Sequence, residues 1–388
     1  MEENDEELDI DDIKSELLQK SPFLLPIEYH NHDFLSESLR SDIEFQGDAN
    51  LIQHIMKSKG NHPSLLIDKW SSIYTTHKGY LKDNQTLLKS YKQHKNDMDS
   101  FISSYVDFKS EQNFLSKYQY IQFRRFFFLN SITGFLQFLA LYNICSPLFS
   151  LLSPFLGLIV PYFIFYFKGI RMSFSDYLKM VKSMILNTTI IKNILHFKKD
   201  NLQQKMYSVV YLFFYGLSIY NNIQSCIQFY HNTHFMIDFN SNYFSFLCKG
   251  DELIDHLYEQ TKSLPSFQAF NTDLLTYKSK IGKIKHSIGS LNNVELYMKY
   301  GQIGLLMKTN FEMFYNEENH NCIMYLTYLH EYHRNMTDLS HLVHTKKLNR
   351  CSFLKDKSAK PTKLKKMYYI AHQENAIQND ICFDKNII

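Results

Sequence analysis

Glycine and proline are scarce in this sequence, with 12 Gly and 8 Pro among 388 residues, whereas Phe and Tyr number 32 and 27. Because few turn-forming residues interrupt the apolar segments, the composition predicts a mainly α-helical fold. Neither sign of charge is in excess, since 42 Lys+Arg face 39 Asp+Glu, and 45% of the residues are hydrophobic. These values exclude a disordered or fibrous chain and a wholly basic, histone-like nucleic-acid binder. The length allows two or three domains.

Closely spaced cysteines and a basic N-terminus are also absent. No two of the six cysteines lie within ten residues of each other, which excludes metal or redox motifs of the C-x-x-C kind. Six cysteines in a chain of this length are too few for a disulfide-built scaffold. The N-terminus carries eight acidic residues among its first twelve, the opposite of a signal or transit peptide. We therefore expect an intracellular protein in a reducing compartment.

The first 125 residues divide into two predicted segments. Residues 1–50 combine the acidic run with turn-forming residues and are predicted to be a poorly ordered leader with little core. The acidic run is either a solvated tail or an arm that binds a partner. Residues 51–125 carry apolar side chains at helical spacing, among them Ile52 and Ile55, and are predicted to form an amphipathic helical segment. Asn50 is predicted to cap its first helix.

Residues 126–167 contain no Asp, Glu, Lys, Arg or His. One membrane-spanning helix needs about 20 apolar residues, so this segment is long enough for two. The polar stretch Asn143–Pro147 is predicted to supply the turn between them. Two arginines directly before the segment and a lysine directly after it make both ends basic, so we predict two transmembrane helices with both chain termini in the cytosol. The alternative is an apolar hairpin buried in the core of a soluble helical protein.

Residues 168–345 return to amphipathic patterns and are predicted to be a helical core or lever region. Within it, the apolar residues 206–230 are interrupted by Asn and Gln, which favours a buried or interfacial helix over a third membrane span. Pro265 is predicted to separate two amphipathic helices. The polar residues 281–304 include glycines and are predicted to be a hinge or short loop.

The clearest periodicity in the chain is a heptad stripe near the end of this helical region. Its members follow alternating spacings of three and four residues: Cys322, Tyr325, Leu329, Tyr332, Met336, Leu339 and Val343. Such a stripe lies on one face of a helix and indicates a core or bundle seam, with a dimer-forming coiled coil as the alternative.

Motifs that carry chemistry are missing or incomplete. His30-Asn31-His32 has the letters of a nuclease motif without further ligands nearby. His330 and His333 are three residues apart, whereas a zinc-protease helix needs two histidines four residues apart with a glutamate between them. Neither a Gly-rich phosphate loop nor a Ser-His-Asp nucleophile elbow is present in the sequence. We therefore predict no catalytic residue and no metal ligand among these residues.

A basic stretch follows the heptad stripe. Its charged members, set against the single Asp356, are Lys346, Lys347, Arg350, Lys355, Lys357, Lys360, Lys363, Lys365 and Lys366. Runs of this kind are usually solvated linkers. The alternative is contact with phosphates of nucleic acid or anionic lipid, which would weaken as the salt concentration rises.

The C-terminal residues carry a family resemblance. Met367–His372 is predicted to be a short strand and Gln373–Ala376 a polar turn. Ile377–Ile381 follows and matches a hydrophobic-Pro-Asn-Asp-hydrophobic turn, with Asn379-Asp380 as its most telling pair. This order resembles the start of the ATPase domain of MutS-type mismatch-repair proteins, which leads into the Walker A loop. The helices of residues 250–345 are similar to the lever region of that family. In place of the usual proline, aromatic residue and His-Pro pair stand Gln378, Ala376 and His372-Gln373.

The resemblance implies a mainly helical lever followed by the first strands of an α/β ATPase domain, so residues 346–388 are predicted to be a basic linker and the start of that domain without its P-loop. It further implies a DNA-binding ATPase that uses ATP and Mg in the full-length protein and forms a homo- or heterodimer through the ATPase domain. Ile377 and Asn379 would lie at the edge of the nucleotide pocket. The alternative is a membrane-anchored helical interaction protein without nucleotide chemistry, whose basic stretch contacts lipid headgroups.

Overall fold

A computed structural model describes most of the chain. The described residues are 22–46, 51–55, 65–94, 97–169, 173–187, 202–289, 302–348, 351–352, 361–369 and 377–383. Over these residues the chain is mainly helical, which confirms the predicted fold class. It divides into two compact units, the first formed by residues 1–112, 240–292 and 312–388 and the second by residues 113–239 and 293–311.

The helices and strands are short in the N-terminal third and long thereafter. The α-helices are α1 (Glu37–Asp42), α2 (Leu51–Ile55), α3 (Leu65–Ser72), α4 (Lys78–Ser90), α5 (Asp99–Lys109), α6 (Phe114–Lys117), α7 (Thr133–Phe167), α8 (Phe174–Asn187), α9 (Leu202–Thr261), α10 (Gln268–Gly289), α11 (Ile303–Tyr315) and α12 (Glu317–His344). Short 3₁₀ helices cover Pro26–Tyr29, Arg124–Ser131 and Pro265–Phe267. The strands β1 (Asp33–Phe34) and β2 (Ile73–Tyr74) pair antiparallel, as do β3 (Thr362–Met367) and β4 (Asn379–Phe383).

The leader contributes to the core of the first unit. Phe23 is 1% exposed, and its ring lies 5.5 Å from that of Tyr325 and 6.1 Å from that of Tyr332, both on α12. Leu25 is fully buried two residues later. The prediction of a leader with little core is therefore wrong for residues 22–46, because aromatic residues from the C-terminal half of the chain supply the pocket that Phe23 fills. Residues 1–21 and the predicted cap Asn50 lie outside the described residues.

The heptad stripe lies on α12 and forms the core seam that its spacing predicts. Cys322, Tyr325, Leu329, Tyr332 and Met336 are all buried within the first unit. Close helix packing accompanies this seam, because a Cβ atom at Gly250 of α9 would lie 2.5 Å from Leu326 Cδ1 of α12. A side chain at this position would require the Leu326 side chain to move.

Two other predictions about the helical region are settled by the boundaries of α9 and α10. The 3₁₀ helix Pro265–Phe267 separates them, as predicted for Pro265. The predicted hinge or loop at residues 281–304 is wrong for its first part, since α10 continues to Gly289. Apolar side chains at helical spacing, including the buried Ile281 and Ile288, keep that part of α10 packed. Residues 290–301 lie outside the described part of the chain.

In the second unit, the N-terminal part of α7 packs closely against α11. Gly304 N–H donates to Gln137 Oε1 at 2.8 Å, and a Cβ atom at Gly304 would lie 2.5 Å from the backbone oxygen of Thr133. Leu136 and Ala140 of α7 are fully buried beside this contact. The N-terminal part of α7 is therefore core, held against α11 by a backbone approach that only glycine allows.

A buried amide fixes the chain just before α7. Asn130 is fully buried, its Nδ2 donates to the carbonyl of Ile121 at 2.9 Å, and its Oδ1 accepts from the N–H of Ile121 at 2.9 Å. Nearby, the Tyr120 hydroxyl donates to the carbonyl of Met307 on α11 at 2.6 Å. These bonds satisfy buried polar groups of a segment that lacks regular α-helix.

The predicted turn at Asn143–Pro147 is wrong, because α7 continues through it to Phe167. Pro147 has no N–H to donate to the carbonyl of Asn143 one turn earlier. The hydroxyl of Ser146 donates to that carbonyl instead, at 3.0 Å, so the acceptor stays satisfied and the helix persists. In place of two helices joined by that turn, residues 126–167 form most of a 3₁₀ helix and one long α-helix.

Residues 206–230 were predicted to be buried or interfacial, and the structure shows that most of their side chains are exposed on α9, among them Tyr207, Phe213 and Phe214.

Across the described residues, no single helix combines the length and apolar composition of a membrane span. The 3₁₀ helix Arg124–Ser131 and residues Thr133–Phe149 reach that standard only as a pair, and the chain bends by 97° between them.

Candidate functional site

The two predicted nucleotide-pocket residues lie at the start of β4. Ile377 is 81% exposed just before the strand, and Asn379 opens the strand opposite Met367 of β3. The two residues are close in sequence, and both side chains are exposed, so neither lies in an enclosed pocket. The predicted strand Met367–His372 is shifted, since β3 ends at Met367 and begins at Thr362. Residues 362–366 were predicted to belong to a basic linker because of their lysines. They form this strand, and the lysines are exposed on it.

A bulge shapes the β3–β4 pair beside these residues. The register shifts between Leu364 and Met367, and Lys366 adopts a positive φ of 55°. The N–H of Lys366 donates to Asp380 Oδ1 at 2.7 Å, which satisfies a backbone donor that the bulge removes from the strand ladder. Asp380 of the telling Asn-Asp pair therefore has a structural role in the strand pair.

Two tyrosines tie the end of β3 to the rest of the first unit. The hydroxyl of Tyr368 donates to the carbonyl of Lys347, just after α12, and the hydroxyl of Tyr369 donates to the carboxylate of Glu44. Because both contacts follow β3 directly, the strand pair is attached to the C-terminal end of α12 and to the segment after α1.

The first unit also contains a polar cleft that the sequence did not predict. It has a volume of about 550 Å³ and lies between α12 and the segment that joins α4 to α5. Charged and imidazole side chains dominate its lining, among them His94, Asp97, Asp99, His330, His333 and Arg334. Asp99 Oδ1 lies 3.6 Å from His330 Nδ1, and its Oδ2 lies 3.5 Å from the Arg334 guanidinium.

Side chains hold the backbone of the segment that borders this cleft. Gln260 of α9 accepts from the N–H of Lys92 at 2.9 Å and donates to its carbonyl at 3.1 Å. The carbonyl of Lys92 also lies 2.8 Å from Nε2 of His256. Because residues 91–94 lack regular secondary structure, these bonds replace the ladder that a strand or helix would supply.

His333 joins α12 to the same segment. Its Nε2 lies 3.0 Å from the carbonyl of His94, and its Nδ1 lies 2.6 Å from the hydroxyl of Tyr91. The N–H of His94 also donates to Nε2, at 3.3 Å. A proton on Nε2 therefore suits the carbonyl contact, whereas a proton on Nδ1 suits the contact with the N–H. Burial lowers the pKa of His333 to about 4, with the nearby imidazoles of His256, His330 and His94 adding to the effect. His333 is therefore neutral near pH 7.

The described residues that line the cleft offer hydrogen-bonding groups, and the hydroxyl among them, on Thr337, is already paired. The Thr337 hydroxyl on its wall donates to the carbonyl of His333 in its own helix at 2.9 Å, so that proton already has a partner. Although His330 and His333 share the cleft, within the described residues no three His, Cys, Asp or Glu side chains are placed to hold a metal ion. The spacing of the two histidines on α12 was the only sequence signal for this cleft, and it did not indicate His94 or His256.

An exposed apolar surface distinguishes the second unit. We define the apolar lobe as residues 141–167 of α7 together with residues 202–228 of α9. Large side chains exposed on it include Leu148, Phe149, Tyr166, Phe167, Tyr207, Phe213 and Phe214. Its two helices leave the core at neighbouring points, since Cys226 Sγ lies 3.7 Å from the carbonyl of Ile144. Exposed apolar surface of this extent marks an interaction with a membrane or another protein.

Comparisons with known proteins leave the function to be inferred from these features. No protein-family model, curated protein or solved structure matches the chain. The strand pair with Ile377 and Asn379, the polar cleft and the apolar lobe are the three regions of the described chain on which a function can be argued.

Proposed function

We propose that this chain is the helical lever of a MutS-like, DNA-binding ATPase, tethered to a membrane through residues 126–167. One observation carries the first part: Asn379-Asp380 opens a strand that pairs antiparallel with β3, in the first unit that also contains α12. A long helix, a basic segment and then a strand pair is the order that the MutS resemblance implies. The combination of that order with the Asn-Asp pair supports the proposal.

In this proposal the nucleotide binds beyond the strand pair. ATP and Mg would be held by a Walker A loop that follows β4, with Ile377 and Asn379 at the edge of the pocket. The tyrosine contacts after β3 would transmit the nucleotide state to α12, and α12 would transmit it to the grip on DNA. Dimerisation would use the ATPase domain.

The ATP chemistry gives a direct test. Residues 1–388 contain no Gly-Lys-Ser/Thr loop, so this polypeptide alone is expected neither to hydrolyse ATP nor to bind it tightly. Phosphate release and equilibrium dialysis with the purified chain measure both properties. Turnover above that of a buffer blank would contradict the proposed division between lever and nucleotide-binding loop.

DNA binding is tested through the lysines of β3. Lys363 and Lys365 are both exposed. Each lysine–phosphate contact contributes roughly 0.9 to the slope of the logarithm of the DNA-binding constant against the logarithm of the salt concentration. The variant Lys363→Gln/Lys365→Gln should therefore reduce the magnitude of that slope by about 2 if both lysines contact phosphates. The matched control is Lys82→Gln/Lys89→Gln, which removes two exposed lysines of α4. Fluorescence anisotropy with a labelled duplex measures both. Equal slopes for the two variants would remove β3 from the DNA interface.

The apolar lobe supports the membrane tether. Its side chains gain about 1.5 to 3 kcal/mol each when a Val, Leu, Ile, Phe or Met is fully removed from water, and a bilayer offers that environment. Arg124 and Arg125, which precede residues 126–167, suit anionic lipid at the cytosolic face. Since α7 leaves the packed core at Ala140 and α9 returns to it at Phe229, both termini are proposed to be cytosolic. Extraction of the full chain from cell membranes should therefore need detergent. Release by high salt alone would contradict the tether.

A second candidate is a membrane-anchored helical interaction protein without nucleotide chemistry. The apolar lobe favours it equally, because membrane attachment requires no ATPase domain. The two candidates differ in the DNA experiment: a chain that needs detergent for extraction and binds no duplex supports the second candidate over the first.

A further inference from the structure

We propose that residues 202–228 of α9 cross a lipid bilayer together with residues 141–167 of α7, with the uncharged residues 206–228 in the hydrocarbon and Lys205 in the headgroup region. This inference rests on the membrane tether proposed above and adds a second helix to it. Residues 206–230 contain no Asp, Glu, Lys, Arg or His, as expected of a segment that leaves water. The pair of helices would thus come from two distant segments of the sequence.

The exposure pattern of α9 identifies lipid as the occupant. Residues 209–214 are six consecutive exposed residues, and at 3.6 residues per turn they point in directions all around the helix. A protein partner covers one face of a helix, whereas lipid surrounds it. Among the side chains described in residues 202–228, the partly covered ones are Lys205, Tyr215, Ile219, Asn222, Ser225 and Cys226. Cys226 contacts the carbonyl of Ile144 on α7.

The lengths of the two helices agree with a bilayer. The lobe contains residues 141–167 of α7 and residues 202–228 of α9, and each stretch is about 40 Å long at 1.5 Å per residue. The hydrocarbon core of a bilayer is about 30 Å thick, or about 40–45 Å with the headgroup regions. Core packing resumes at the base of both helices, where Ala140 of α7 and Phe229 of α9 are buried.

Charge and aromatic residues at the far end of α7 suit a headgroup region. Lys168 follows α7 directly, and α8 adds the exposed Lys179 and Lys182. α8 is attached there by aromatic contacts, since the ring of Tyr162 lies 5.0 Å from that of Tyr177. Lysines and tyrosines in this arrangement suit the membrane–water interface at the end of the lobe that lies away from the packed core.

Quenching by brominated lipid tests the proposal in the full chain. Phe213→Trp places a tryptophan on the lobe helix α9, and Leu148→Trp places one on α7. Leu275→Trp is the matched control, an equally exposed apolar position on α10 in the first unit. Trp70, the only native tryptophan, packs in the first unit and reports the unquenched signal. The vesicles contain phosphatidylserine and phosphatidylcholine with bromine on the acyl chains.

We expect the added fluorescence of Phe213→Trp and Leu148→Trp to be lost in these vesicles, while that of Leu275→Trp and of the wild-type chain persists. Quenching at Leu148→Trp without quenching at Phe213→Trp would overturn the inference and leave the tether by α7 standing. If wild-type chain fails to float with the vesicles in a density gradient, both the inference and the tether fail.

Discussion

The two units of this protein use their aromatic residues in opposite ways. In the first unit, Phe23, Tyr325 and Tyr332 are buried against one another, and polar side chains line a cleft at the edge of this core. In the second unit, Phe213 and Phe167 are exposed although the surrounding residues are as apolar as a core. Apolar composition alone therefore does not distinguish residues of a protein core from residues of a surface that binds a partner.

The largest expected effect would break this contrast at the aromatic core. Phe23→Ala removes a fully buried ring and should lower the free energy of unfolding by about 3–5 kcal/mol. Phe213→Ala, in the lobe, should change it by less than about 0.5 kcal/mol in water, because an exposed ring has few contacts to lose. Urea denaturation monitored by circular dichroism measures both variants. Similar losses for the two would mean that the lobe is packed in solution.

A charge placed on the lobe should produce the next largest effect. Leu148→Arg introduces a charge in the exposed part of α7. A charge near the bilayer centre raises the free energy of membrane insertion by about 2.5–3.5 kcal/mol. That energy corresponds to a loss of roughly 70- to 400-fold in membrane partition. Leu39→Arg on α1 is the control, since Leu39 is also exposed. Vesicle flotation measures both, and equal flotation of the two variants would contradict the tether.

The smallest expected effect concerns acid pH and the first unit. Burial lowers the pKa of His333 from 6.5 to about 4, so below pH 6.5 the unfolded chain takes up a proton that the folded chain does not. Stability should therefore fall as the pH drops from 6.5 towards 4, by about 1 kcal/mol between pH 7 and pH 5.5. Trp70, whose ring lies 5.5 Å from that of Tyr332, reports unfolding of this unit by its fluorescence.

The variant His333→Gln should lose that part of the pH dependence. His341→Gln changes an exposed histidine of the same helix and should keep it. Urea titrations at the two pH values measure the difference. A wild-type pH profile in His333→Gln would assign the acid sensitivity to other groups, among which His256 also has a pKa lowered by burial.

Local patterns in the sequence predicted the helices that depend on local rules. The heptad spacing from Cys322 to Val343 lies within α12, and Pro265 marks the break between α9 and α10. These features follow from side-chain periodicity and from the missing N–H of proline. A strand before Asn379 was predicted as well, but β3 lies five residues earlier than expected, and Asn379-Asp380, expected in a turn, opens β4.

Predictions failed where distant residues decide the outcome. The pocket for Phe23 is made by residues near the other end of the chain, so no pattern in the leader could indicate it. Beside the polar cleft, the rings of His94, His256 and His333 come together from three separate segments. The turn expected at Asn143–Pro147 is missing because one serine hydroxyl satisfies the carbonyl that proline leaves without a donor.

By itself, the sequence determined that this protein is mainly helical, that residues 126–167 carry no charge, and that α12 presents one apolar face. Composition and periodicity act on each segment locally, and these properties need nothing else. Only the tertiary structure decided which apolar residues are buried. Burial depends on what other segments of the chain provide: the leader meets an aromatic pocket, whereas lobe side chains such as Phe167 of α7 and Phe213 of α9 extend beyond the packed core and are exposed.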